Sequence, residues 1–235
     1  MKTHLWAVSI LWFIHASYTH AETPSLADNT ISSAAVEMAL ARLDAQPLDD
    51  HWHFTMQVKH DELEQVVRSD PNREPALRRV LRQVDGNEPS AADRENFRAT
   101  EAKRINEQNT DTQAFSYLVD TSTLNFIGAQ NGIAEFAFVP RIEKLEQASE
   151  SLRGKLKLNV EKGYIAALEV FNVEEFSPAF SVTMEQFRLS FAFAPQAGEN
   201  VLAAMENQAR GKAGFMKEFN SKTTIIFSDY KKISE

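Results

Sequence analysis

AFSVTMEQFRLSFAFA, residues 179–194, carries its apolar side chains on two different parities. Phe180, Val182 and Met184 alternate with polar neighbours, and then Phe187, Leu189, Phe191 and Phe193 alternate on the opposite parity. Successive side chains of a strand point to opposite faces. One extra residue near Glu185-Gln186 is therefore needed to keep both sets on the same side. That extra residue is a β-bulge, which bends and twists the strand that holds it. A long bent strand with four large apolar side chains in a row belongs to a curved sheet with a dry face.

Working outward, the same period recurs. In HWHFTMQVK, residues 51–59, Trp52, Phe54, Met56 and Val58 oppose His51, His53, Thr55, Gln57 and Lys59, the clearest strand of the chain. Leu63–Arg68 is a partner strand, closed by the turn residues Ser69-Asp70-Pro71-Asn72. Residues 77–84 fit either period and read as a strand because they are short and flanked by turns. Ser122–Ala129 and Ile133–Val139 flank Asn131-Gly132, a hairpin signal because both residues tolerate positive φ. Gly154–Val160, Tyr164–Asn172, Met205–Phe219 (interrupted by Gly211 and Gly214) and Lys222–Tyr230 complete the strands.

Helices enter at three places. Val36, Leu40 and Leu43 recur at helical spacing within Ile31–Ala45. Ser90 followed by Asp93 has the pattern of a helix start, and that helix runs to about Glu107 with Phe97, Ala102 and Ile105 as a thin apolar face. A second short helix covers Thr112–Val119. The order is helix, three strands, two helices, then seven antiparallel strands. It predicts an α+β, mostly antiparallel fold: one strongly curved, unclosed half-barrel sheet of about ten strands, with a few helices packed on its concave side. The 16 Phe supply that concave side, since many alternate between residues 126 and 227.

The N-terminus reads as an export signal. Lys2 precedes a twelve-residue apolar run, Leu5–Ala16, and Thr19-His20-Ala21 has the small residues a signal peptidase needs. The run is short of the roughly 20 residues that span a bilayer. The expected organisation is a signal peptide at 1–21, a spacer at 22–30 and a single domain at 31–235, exported to the periplasm. No cysteine occurs, so the chain has neither a lipidation site of the cysteine type nor disulfides. The net charge of −8 makes nucleic acid or an anionic membrane surface a poor partner for the chain as a whole.

Several stretches carry a resemblance. Arg68-Ser69-Asp70-Pro71, Val84-Asp85-Gly86-Asn87-Glu88-Pro89-Ser90, Gly154-Lys155-Leu156, Gly163-Tyr164-Ile165, Phe176-Ser177-Pro178, Phe187-Arg188-Leu189 and Phe227-Ser228-Asp229-Tyr230 resemble a group of exported bacterial proteins of uncharacterised role. The order of elements resembles the LolA/LolB-like lipoprotein-sorting superfamily. That resemblance implies an open barrel lidded by helices, with a hollow that holds acyl chains. No individual acyl-contacting residue can be aligned, and there is no lipid-bearing cysteine of the membrane-anchored type.

The candidate sites follow. Trp52, Phe54, Phe136, Phe138, Phe187, Phe191, Phe193 and Phe227 form an aromatic stripe with two readings: plain core beneath the helices, or the lining of a hollow for a lipid or acyl chain. His51-x-His53 is the only motif of metal-ligand type, with both imidazoles on one strand face and their Cα atoms about 6.5–7 Å apart. Its other reading is a wet outer face opposite Trp52 and Phe54. There is no Gly-x-Ser-x-Gly elbow and no His-Glu-x-x-His, and nothing calls for a cofactor. The expectation is a non-enzymatic periplasmic carrier of an apolar ligand, with an envelope protein-interaction module as the alternative.

Overall fold

The computed structural model describes residues 33–45, 48–111, 114–142, 145, 148–214 and 217–233, and the statements below concern these. The expected signal peptide and spacer lie outside them. The elements run α1 (Ser33–Asp44), α2 (Leu48–His51), β1 (Trp52–His60), β2 (Leu63–Ser69), β3 (Arg79–Val84), α3 (Ala91–Asp111), α4 (Phe115–Leu118), β4 (Asn125–Gln130), β5 (Ile133–Phe138), β6 (Leu152–Asn159), β7 (Tyr164–Asn172), β8 (Phe176–Ala179), β9 (Val182–Gln196), β10 (Glu199–Ala213) and β11 (Lys217–Lys232).

All the strands join one antiparallel sheet in the order β3-β2-β1-β11-β10-β9-β7-β6-β5-β4, with β8 pairing β9 off this path. β3 and β4 end the sheet and do not meet, so it is an unclosed, curved half-barrel. The sequence places one source of that curvature. Gln186 pairs with Arg210 and Met184 with Gly211, which leaves Glu185 as the bulged residue. Its carboxylate accepts from Lys212 Nζ at 3.1 Å and lies 3.6 Å from Arg210 Nε. That hydrogen bond and the charge behind it hold the Lys212 ammonium above its ordinary pKa. Gly211 is required there, because a Cβ would fall 2.0 Å from the Thr183 carbonyl oxygen. A second register shift lies between Leu202 and Ala204.

α1 fills half of the concave side. Its buried stripe, Val36, Ala39, Leu40 and Leu43, packs with Phe136 and Phe138 of β5, Leu156 and Leu158 of β6, and Leu168 of β7. The Phe138 ring occupies the space beside Gly154, where an added Cβ would meet its Cζ at 2.2 Å. Asp44, the last residue of α1, accepts from the backbone N–H groups of Phe115 at 2.7 Å and Ser116 at 2.9 Å. One carboxylate thus docks the first turn of α4.

The other half is covered differently. Trp52, Phe54 and Met56 of β1, Val67 of β2 and Leu81 of β3 form a second cluster, to which α3 adds Phe97. The start of α3 is a capping box. Ser90 Oγ accepts from the Asp93 N–H at 3.1 Å, and the Asp93 carboxylate accepts from the Ser90 N–H at 2.9 Å. The Ser90 hydroxyl also donates to the Asp93 carboxylate at 2.6 Å, and this bond, with the one from the Ser90 N–H, holds the Asp93 carboxyl below its usual pKa.

Four expectations change. Residues 77–84 divide into a 3-10 turn at Pro75–Leu77 and strand β3. Residues 205–219 are not one strand: the chain turns at Gly214, whose φ is +63, and Phe219 belongs to β11. β10 also begins earlier, at Glu199, after a turn through Ala197 (φ +47) and Gly198 (φ +82). Phe180 does not join the long strand but stands in a turn, 98% exposed, beside Ser181 at φ +66.

Candidate ligand-binding hollow

Register turns the long strands into rows across the concave face. The first row consists of Phe193 paired with Leu202 across β9 and β10, and of Phe227, Met56, Val67 and Leu81 paired across β11, β1, β2 and β3. It is largely dry: Phe193, Met56, Val67 and Leu81 are all buried. Two residues further along β9, β11, β1 and β2, about 6.8 Å, and three along β10, where Ala203 is bulged, the next row runs Leu168, Phe191, Met205, Ile225, Val58 and Gln65. Leu168 is sealed, but Phe191, Met205, Ile225 and Val58 are only half-buried. A further step gives Val170, Leu189, Asn207, Thr223, His60 and Leu63, in which Asn207, His60 and Leu63 are exposed. His60 Nδ1 and Thr223 Oγ1 are hydrogen-bonded at 2.8 Å along this rim.

On β1, β2 and β10 burial thus falls along the strand, from Met56, Val67 and Leu202 through an apolar shelf to His60, Leu63 and Asn207, while Val170 of β7 stays fully buried. The shelf holds four apolar side chains from β9, β10, β11 and β1 and no charged one. Its closed end is shaped by aromatic rings. Phe115 of α4 meets Phe191 edge-on at 5.1 Å and Phe193 at 5.2 Å, and Phe191 stacks on Phe193 at 6.5 Å. Asp44 holds the first turn of α4 through the Phe115 and Ser116 N–H groups and so positions the Phe115 ring.

The predicted aromatic stripe divides between these environments. Trp52 and Phe54 are 2% and 1% exposed in the cluster beneath α3, where Tyr230 meets both rings. Phe136, Phe138 and Phe193 belong to the cluster around α1. Phe191 lies on the shelf, Phe227 beside it against Phe54, and Phe187 further along β9 against Phe176. Met205, Ile225 and Val58 were not among the predicted site residues. Their signal is cross-strand register, which no single strand carries.

The two histidines do not share a strand face. His51 is the last residue of α2, and β1 begins one residue later. His53 lies 3.5 Å from Asp70 and 3.3 Å from the Asn72 amide nitrogen. Among the described residues no group of three or more His, Cys, Asp or Glu side chains is placed to hold a metal ion. No helix among them is long and apolar enough to cross a membrane. No protein-family model, no curated protein and no solved structure matches the chain.

Proposed function

We propose that the protein is a periplasmic, non-enzymatic carrier that holds an apolar ligand, a lipid or acyl chain, in the hollow of the half-barrel. The observation that carries this reading is the shelf of Phe191, Met205, Ile225 and Val58, half-buried between a dry core and a polar rim. Leaving such a surface half in water forfeits about 25 cal/mol for each Å² that could be covered. An acyl chain laid along the row covers it, and its polar end reaches Asn207, Thr223 and His60. The export signal read in residues 1–21 and the LolA-like order of elements agree with this role. Purified protein carries lipid detectable by mass spectrometry, and delipidated protein binds a fluorescent fatty acid at one site. Protein free of lipid that binds no fatty acid would overturn the proposal.

A second reading rests on the far edge of the sheet. β4 is the terminal strand, and its Phe126 and Ile127 are 42% and 52% exposed. Exposed apolar edge strands accept strands from other chains. Crosslinking in periplasm separates the readings: a single stoichiometric protein at β4 favours docking, whereas lipid alone favours the carrier.

A further inference from the structure

The opposite edge of the sheet has another character. β3, the 3-10 turn before it and the first half of α3 enclose a groove of about 490 Å³. Consecutive residues of β3, from Arg79 to Arg82, line it, so it follows the edge of the strand rather than one face. Five arginines point chemistry of one sign at this space: Arg73, Arg79, Arg82, Arg94 and Arg98. In a chain of net charge −8 this is a local reversal.

Three of the five have carboxylates at hand. Arg73 Nε lies 3.3 Å from Asp70, Arg94 Nη2 2.7 Å from Glu88, and Arg79 Nη1 4.0 Å from Glu101. Arg82 and Arg98 have no carboxylate within ion-pair distance among the described residues. The groove therefore carries an excess of about two positive charges. Arg82 is also the bulged residue of its strand, since Gln83 pairs with Val66 and Leu81 with Val67. A bulge re-aims a side chain and breaks the regular ladder, which makes this edge a poor template for another strand. Besides Glu88, the partner of Arg94, the remaining lining is apolar: Ala76, Leu77, Val80, Leu81, Pro89 and Phe97, with Leu77 55% exposed.

We infer that this groove binds a phosphate-bearing amphiphile, its phosphate between Arg82 and Arg98 and its apolar body against Leu77 and Phe97. Guanidinium groups match phosphate oxygens in bidentate fashion. A phosphate monoester carries about −1.5 to −2 charges near neutrality, which balances the excess, whereas a carboxylate balances only half of it. The volume lies in the range of small-ligand sites, roughly 300–1,000 Å³, and exceeds what a bare phosphate needs. This site is separate from the carrier hollow, and its test uses different residues.

The test is titration calorimetry of the purified protein with dihexanoyl phosphatidic acid, dihexanoyl phosphatidylcholine and inorganic phosphate. Phosphatidic acid saturates one site, phosphatidylcholine binds about tenfold weaker or less, and inorganic phosphate competes at lower affinity. Arg82→Gln and Arg98→Gln, both at exposed positions, each weaken phosphatidic acid about tenfold, and salt weakens the wild type. Leu77→Ser weakens the amphiphile but not inorganic phosphate. No saturable site, equal binding of the zwitterionic lipid, or affinity unchanged in both arginine variants would overturn the inference. Equal affinity for inorganic phosphate and the amphiphile would overturn its apolar half.

Discussion

α1 and α3 cover two halves of one sheet by opposite means. α1 spans 12 residues and buries four apolar side chains against β5, β6 and β7. α3 spans 21 residues, and among its described side chains Phe97 alone joins an apolar cluster. Glu101 of α3 is 8% exposed, and Arg104 Nε donates to it at 3.0 Å. Apolar burial thus concentrates under α1, where Leu40, Leu156 and Leu168 are sealed, while Phe191, Met205, Ile225 and Val58 on β9, β10, β11 and β1 stay half-buried.

The largest effect is expected where the packing is tightest. Phe138→Ala removes a ring 2% exposed at the centre of the α1 half and should cost about 3–5 kcal/mol in chemical denaturation. A cost below about 1.5 kcal/mol would erase the contrast between the halves. Gly154→Ala tests the same contact from the other side. The added Cβ would sit 2.2 Å from the Phe138 ring, and overpacking of this kind costs about 1–3 kcal/mol. Because the two residues touch, combining Gly154→Ala with Phe138→Leu should cost less than the sum of the two single variants.

In the α3 half the expected effects are smaller. Phe97→Ala removes a half-buried ring and should cost about 1 kcal/mol, part of the roughly 1.5–3 kcal/mol of a fully buried one. Ser90→Ala breaks the capping box of α3 and should also cost about 1 kcal/mol. The Asp93 carboxyl is held below its ordinary value by Ser90. Its contribution to stability is therefore present above the unfolded value, about 3.9, and is lost as the pH falls through the lower folded value. Acid titration followed by helical circular dichroism should show the wild-type α3 loosening in that window. Ser90→Ala should lose helix with less dependence on pH there, and identical acid profiles would contradict the cap.

Much of the fold was legible because period and turn chemistry agreed. The alternation from Trp52 onward, the Asn131-Gly132 turn (φ +52 and +75) and the bulge at Glu185 are local signals, and each appears in the structure, whereas His51 ends α2 instead of starting the strand. The start of β10 was hidden because its turn uses Ala197 at positive φ, where alanine is a poor marker. Gly211 looked like a break in a strand, yet it marks a close approach to Thr183 at the bulge. The aromatic stripe showed which residues are apolar but not which rows are covered. Coverage depends on where α1 and α4 lie, and Asp44 settles that through a contact more than 70 positions away in sequence.

Phe191 and Met205 of the shelf can be probed together by one paired measurement. Phe191→Ala and Met205→Gln are each titrated with a fluorescent fatty acid and unfolded in denaturant beside the wild type. Both residues are half-buried, so each variant should retain most of the wild-type stability, well short of the loss expected for Phe138→Ala. Fatty-acid affinity should fall roughly tenfold or more, the equivalent of about 1.4 kcal/mol or more of lost apolar contact. Unchanged affinity, or a stability loss as large as that of Phe138→Ala with no effect on the ligand, would make the shelf ordinary core and contradict the account.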